Sequence, residues 1–375
     1  MKRQIVITGL GVVSPLGHDL AVLTARLGQR PEVGGSGRSV RLGDAELWST
    51  AGLASEHIVN RRLQRKLDPF CVNGMVAADM ALRHSGLPWQ TLDAARIGIS
   101  VGNCLGGWAY TQPELEALHT RGVSAMGPYV ATAWFPAALQ GQISLAYGFK
   151  GHSKTFSARD VAGLQAVGHA ALAIDAGRAD VMLCGASEDL SSPYMQAVLA
   201  RYARANGSAP GVFGRLQPSA FSDGAAFLVL EERSHAERRG ATVLCTVTGF
   251  ADRFCGEPAQ AVPVLAAALA AAQGERRGER LLLRDGLHAD EPALVDAAAR
   301  LCGLTVTPID TRGSLANQFA VSGVTEVVLA AQALGKGRLR ADTVGGVTAG
   351  GHFGGALLQR LSPRGGVAAL GLAAV

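Results

Sequence analysis

The chain has 375 residues, of which 48% are hydrophobic and 17% charged. That balance excludes a disordered segment and leaves room for one large domain or two fused ones. A formal charge of +5 is a mild basic bias suited to an acidic partner; with no basic tract interleaved with aromatics, it argues against nucleic acid. The longest apolar runs, such as "AVPVLAAALAAA" at 261–272, are too short to cross a bilayer.

The opening "MKRQIVITGLGVV" enters a buried strand at once, so no signal peptide is expected. The glycine-rich turn after it resembles a dinucleotide fingerprint only in part: Gly9 and Gly11 fit, but Ser14 takes the place of the third glycine. Pro15 follows where a phosphate-binding helix should run. A polar, variable stretch covers about 28–60. A helix follows, with Asp68 as its cap, Pro69 in its first turn and Gly86 just past its end.

"ARIGISVG" reads as a buried strand, and residues 106–135 form a longer excursion carrying Trp108, Tyr110, Tyr129 and Trp134. The helix "PAALQGQISLAYG" comes next. Residues 154–180 read as a strand, a tight turn holding Asp160, and an alanine-rich helix; "DVMLCGAS" is again a strand, and "GAAFLVLEERSHAERRGA" a strand running into a helix. Alternation of this kind implies an α/β layered fold with buried sheets. One internal echo, "VAGLQAVGHAALAIDAGRAD" from Val161 and "VSGVTEVVLAAQALGKGRLRAD" from Val321, suggests two similar halves. The six cysteines are scattered without a CxxC pair, as expected of reduced, mostly buried thiols in a cytoplasmic protein.

Four ordered stretches, "VVSPLG", "FPAALQGQISLAYGFKG", "GLQAVGHAALAIDAGRADVMLCGASED" and "DGAAFLVLEERSHAERRGA", resemble the β-ketoacyl synthase family, most densely over residues 1–250. The resemblance implies the thiolase-like fold: two similar αβα halves about a pseudo-twofold axis, expected here as 1–245 and 246–375, and paired into dimers. No cofactor or metal is expected.

An active member of that family needs a cysteine at a helix N-terminus, where the dipole lowers the thiol's pKa. Two histidines stabilise the enolate left when malonyl carrier protein loses carbon dioxide, and a lysine supports the second of them. The sequence departs at each position. The resemblance places Asp160 at the cysteine, Asn317 at the second histidine and Arg312 at the lysine. The first histidine is replaced by Asp285, or by His288 if a gap is allowed. The phenylalanine-containing glycine loop becomes "Val347-Thr348-Ala349-Gly350-Gly351".

A carboxylate attacking a thioester would give an anhydride, a poor resting place for an acyl chain, so Asp160 is expected to cap its helix. Some family members without the cysteine still decarboxylate malonyl units, but they keep their histidines. A stand-alone malonyl-carrier-protein decarboxylase or condensing enzyme, with Asp160 and His288 in play, is the alternative reading.

The subgroup most similar is the chain length factor, the ketosynthase-β subunit of type II polyketide synthases. It lacks the cysteine and pairs with an active ketosynthase-α subunit. Its flag is an aromatic-rich segment after a double glycine, here Gly106-Gly107-Trp108 onward. The resemblance puts Trp108, Thr111 and Leu115 against the tunnel that holds the growing chain; their spacing places them on one helical face. Bulky side chains there would stop elongation, or they merely fill a dimer core. Arg62, Arg65 and Lys66, in the densest basic run, match a segment near the docking surface for acyl carrier protein. They would steer that acidic partner or form a solvated face.

Overall fold

The computed structural model describes residues 2–29, 31, 37–42, 45–50, 66–205, 211–216, 220–275, 278–284, 286–337, 339–344 and 351–375. In chain order the strands are β1 (Ile5–Val13), β2 (Gly37–Leu42), β3 (Ala45–Thr50), β4 (Ile97–Gly102), β5 (Ser153–Phe156), β6 (Val181–Glu188), β7 (Ala220–Ser222), β8 (Gly224–Glu232), β9 (Cys245–Phe254), β10 (Arg280–Arg284), β11 (Val306–Asp310), β12 (Gly355–Leu361) and β13 (Gly366–Ala373). The α-helices are α1 (Leu20–Ala25), α2 (Pro69–Ser85), α3 (Trp108–Arg121), α4 (Val130–Ala133), α5 (Ala138–Tyr147), α6 (Ala162–Asp175), α7 (Pro193–Ala205), α8 (Arg233–Arg238), α9 (Ala261–Gln273), α10 (Glu291–Leu301), α11 (Arg312–Leu315) and α12 (Ala320–Gly335).

Ten strands form one sheet in the order β11-β10-β12-β13-β9-β1-β8-β6-β4-β5. Cut between β9 and β1, it falls into two sheets of identical design. In each, the strands count 3-2-4-5-1 in chain order, the first three parallel and the last two antiparallel. Only Ile5–Ile7 of β1 and Cys245–Val247 of β9 pair across the join. The repeat suggested by the sequence echo is therefore real, and the echoing segments α6 and α12 are equivalent helices of the two halves.

Side-chain alternation along the strands sorts the core into layers. Met182, Cys184 and Ala186 of β6 and Leu281 and Leu283 of β10 face a central core built around α6 and α12. Val181 and Leu183 of β6 face the opposite way, onto α2 and α5. Leu282 of β10 and Leu357 of β12 face α9 and α10. A helix between two sheets is apolar all round, and α12 is buried from Ala320 to Ala331 without a break.

Helix α2 begins and ends as its sequence requires: Asp68 accepts the Phe70 N–H at 3.0 Å, Pro69 follows, and Gly86 closes it at φ 59°. The stretch read as merely polar and variable instead holds an antiparallel hairpin, β2–β3, whose second strand pairs in parallel with β7. Val40, Leu42, Ala45 and Leu47 give it an apolar face on a small separate core.

Candidate functional site

Strand β5 leads into a 3₁₀ turn, Arg159–Val161, and from there into α6. Arg159 takes a left-handed backbone, φ 56°, a conformation costly for any residue with a Cβ. Asp160 is buried, with Oδ2 3.7 Å from Arg159 Nε. The same guanidinium donates to Tyr202 Oη at 3.0 Å and lies 5.4 Å from that ring's centroid. The N-cap expected at Asp160 falls one residue further on: Val161 occupies that position of α6, and its apolar side chain makes no capping bond. Asp160 has moved one position into the preceding turn, where its charge meets Arg159.

Glu188, at the buried end of β6, ties the surrounding loops together. It accepts the N–H groups of Cys104 at 2.5 Å and Leu105 at 3.2 Å and the Asn103 amide at 3.1 Å. The Ala320 N–H at the start of α12 also reaches it. Burial, helped by the nearby charge of Asp160, pushes Glu188 up to about 8 against the pull of these donors.

Cys104 lies close to Glu188, Asp160 and Arg159. Burial first, then the two carboxylates, pushes its thiol up. All six cysteines are free, and burial raises each of their pKa values. None is held as the thiolate that nucleophilic chemistry needs.

Asn317 is buried beside β7, its backbone N–H on Ala220 O and its carbonyl receiving the Ser222 N–H. Its Oδ1 accepts the Phe319 N–H at 2.8 Å. Arg312 opens the short helix α11 and shares the wall of a small cavity with Asn317, Ser322 and Arg360. Ala316 (φ 59°) and Phe319 (φ 51°), flanking Asn317, are with Arg159 the only non-glycine residues at positive φ among those described. Strain thus gathers at the two segments that the family resemblance singles out.

Behind Asn317, Arg360 pairs with Glu326 at 2.5 Å with both side chains fully buried, and Thr311 also donates to Glu326. His288 faces elsewhere. Its ring meets the edge of Phe213 in the outer core of the C-terminal half, and Nε2 lies 3.4 Å from Leu361 O. Asp285 and residues 347–350 lie outside the described residues.

Trp108, Thr111 and Leu115 all fall on α3. Trp108 is half-buried, stacks on Tyr194 at 4.3 Å, and packs on the cluster that contains Phe221 and Phe319. Phe221 and Phe319 are themselves stacked at 5.9 Å, and Tyr202 tilts onto Phe221. One hydrophobic cluster therefore receives both the Trp108 helix and the aromatic side chains beside the turns at Arg159 and Asn317. Thr111 is buried and its hydroxyl bonds back to Gly107 O; Leu115 is half-buried. Of the basic run, Arg62 and Arg65 lie outside the described residues; Lys66 is exposed, its Nζ 4.7 Å from the Tyr129 ring centroid.

Residues 2–236 match the family described as Beta-ketoacyl synthase, N-terminal domain. The chain belongs to the β-ketoacyl synthase family, and its fold is the thiolase-like one. Within the family it is similar to subunits of polyketide synthases. It is 30% identical over 314 residues to the tetracenomycin polyketide synthase ketoacyl synthase beta subunit of Streptomyces glaucescens, covering 76% of this chain and 70% of that protein. It is 31% identical over 264 residues to the 3-oxoacyl-(acyl-carrier-protein) synthase 2 of Vibrio cholerae, where the match spans 66% of this chain but only 63% of its relative.

A solved type II polyketide synthase acyl-carrier protein in complex with its ketosynthase bound to the hexaketide contains a chain 41% identical, with TM-score 0.87 and full coverage of both. The ishigamide ketosynthase/chain length factor shares the fold at TM-score 0.81 and 19% identity. No described helix is long and apolar enough to cross a membrane.

The sequence reading missed Glu188, Arg159, Tyr202 and Cys104. The one signal available for Glu188 was a carboxylate closing an otherwise apolar strand, "VMLCGASE".

Proposed function

We propose that this chain is a non-catalytic chain length factor: the β subunit that pairs with an active ketosynthase and shapes the tunnel limiting chain elongation in a type II polyketide synthase. One observation carries the reading. By the family resemblance, buried Asp160 and Asn317 stand where the family's chemistry needs a thiolate and an imidazole.

A buried carboxylate cannot exchange thioesters. An amide whose carbonyl is already bonded to the Phe319 N–H cannot replace an imidazole as a proton-bearing donor to an enolate. The catalytic groups then come from the partner, and the relatives' polyketide context supports that assignment. The alternative, a stand-alone decarboxylase or condensing enzyme using Asp160 and His288, is disfavoured by the direction of His288, whose ring belongs to the outer core.

Trp108, Thr111 and Leu115 serve in this reading as the chain-length gate. Lys66, with Arg62 and Arg65, would contribute to carrier-protein docking. The two halves are taken as 1–245 and 246–375, a division within one residue of the start of β9 at Cys245, where the strand pattern begins afresh.

The test has two parts. The purified chain, incubated with malonyl- and acyl-loaded carrier protein, is examined by intact-mass spectrometry, and no adduct and no decarboxylation are expected. Co-expressed with a ketosynthase of intact Cys-His-His, it should copurify as a stoichiometric pair. An acyl group on Asp160, or malonyl turnover by the chain alone, overturns the proposal.

A further inference from the structure

The start of α3 poses a capping problem. A helix leaves its first N–H groups without intrahelical partners, and the residue at the N-cap, Gly107, has no side chain to accept them. Nor could it carry one. A Cβ on Gly107 would sit 2.2 Å from Ala133 O and 2.8 Å from the Asp68 Cβ. Gly106, at φ 72°, is pressed against Trp134 O in the same way.

The close approach that forbids a local cap brings in a remote one. Asp68 is completely buried. Its Oδ1 accepts the Phe70 N–H at 3.0 Å and closes its own helix, α2. Its Oδ2 accepts the Tyr110 N–H of α3 at 2.8 Å, across 42 residues of sequence. Counting Gly107 as the cap, Tyr110 is the third helical residue, the position an N-cap side chain normally serves.

We propose that Asp68 is the positioning residue for Trp108: one carboxylate closes the first turns of α2 and α3 together and fixes where the indole stands. Trp108 is the first residue of α3, two before the anchored amide. On its other side it is held by the stack on Tyr194, and Gln112 Oε1 accepts the Tyr194 N–H at 2.9 Å. Thr111 completes the turn through its bond to Gly107 O. Nothing else in the first turn of α3 supplies a side-chain cap, so the carboxylate sets the helix start. The double glycine thereby gains a physical role: it lets the anchor in. The consequence for product length rests on the gate reading of Trp108; the anchoring itself does not.

Two substitutions separate the functions of the carboxylate. Asp68→Asn keeps a carbonyl for the Phe70 N–H but turns an amide N–H toward Tyr110. Asp68→Ser remains a good cap for α2 and is too short to reach α3. The full-length chain, co-expressed with a ketosynthase of intact Cys-His-His, is examined by hydrogen exchange and by product profiling, with Trp108→Ala as reference.

Exchange at the Tyr110 amide is expected to rise about tenfold or more in both variants while Phe70 stays within about twofold, since a buried carboxyl acceptor is lost at one helix only. The products should shift in the direction of those of Trp108→Ala, to a smaller extent. Unchanged Tyr110 exchange overturns the proposal, as does an unchanged product profile where Trp108→Ala shifts it. If Trp108→Ala shifts nothing, the gate reading falls; faster Tyr110 exchange still supports the anchor, and unaltered exchange removes it.

Discussion

Asp223→Asn should make the protein less sensitive to rising pH. Asp223 is fully buried next to β7, its Oδ2 receiving the Ser49 hydroxyl at 2.6 Å and its Oδ1 the Thr50 N–H at 2.7 Å. Burial, reinforced by Asp189, raises its pKa from 3.8 to about 7. The folded carboxyl therefore keeps its proton after the unfolded one has lost it. Its contribution is complete below about pH 3.8 and drains away as pH climbs towards 7.

The full shift corresponds to about 4 kcal/mol, of which roughly 2–3 kcal/mol falls between pH 5 and 8. Part of the shift comes from the neighbouring charge of Asp189, so a smaller difference of about 1–3 kcal/mol is expected. Asparagine fits the site, with a carbonyl for Thr50 and an amide N–H for the Ser49 oxygen. Urea unfolding at pH 5 and pH 8 measures the effect. The variant should lie close to the parent at pH 5 and be more stable at pH 8. Asp68 and Glu188, also raised, act in the same direction and remain in both proteins. Glu231, buried but held down to about 2 by Arg239, His235 and Thr8, titrates below this window. Identical pH slopes for parent and variant would refute the reasoning.

Cys104 should resist iodoacetamide at pH 8 in the folded chain, because burial and the carboxylates of Glu188 and Asp160 disfavour its thiolate. Asp160→Asn should speed its alkylation, and peptide mapping by mass spectrometry reads both rates. Arg360→Met strands the Glu326 carboxylate and should cost roughly 3–5 kcal/mol; adding Glu326→Gln should return part of that loss, a coupling that a double-mutant cycle in urea measures. Reversing Arg62, Arg65 and Lys66 to glutamate in the heterodimer should raise the carrier-protein concentration needed for half-maximal rate and weaken its salt dependence, while product length stays the same. An unchanged carrier-protein dependence would reduce the run to a solvated face.

Local chemistry made much of the fold legible. Asp68, Pro69 and Gly86 marked both ends of α2, and the echo between Val161 and Val321 marked the two equivalent central helices. The β2–β3 hairpin was hidden because its apolar face is short and covered by a small satellite core, so the polar residues dominate its composition. The candidate site was half legible. Asp160 and Asn317 stood out in the sequence, since they interrupt an otherwise close resemblance. What fills the space could not be read. Glu188 meets Cys104 across 84 residues, Arg159 meets Tyr202 across 43, and only the packed sheet makes them neighbours. Asp68 was visible as a cap for its own helix, but its second bond depends on the 106–107 glycines lying under it, a tertiary fact.

The strained backbone bears on why such a site persists. Arg159, Ala316 and Phe319 each hold a conformation that costs on the order of 1–3 kcal/mol, and the surroundings overdetermine them. Arg159 is held by Tyr202, Phe319 by the Asn317 carbonyl and the Phe221 stack, and Ala316 by its N–H bond to Arg312 O. On the non-catalytic reading proposed above, the side chains these turns carry do no chemistry, so relaxing the turns would lose none. It would, however, displace Phe319, Phe221 and Tyr202, which belong to or border the cluster on which Trp108 packs. The energy stored in these turns then maintains a surface. On the reading proposed here, that surface is the tunnel wall presented to the partner, where shape rather than reactivity is the property required.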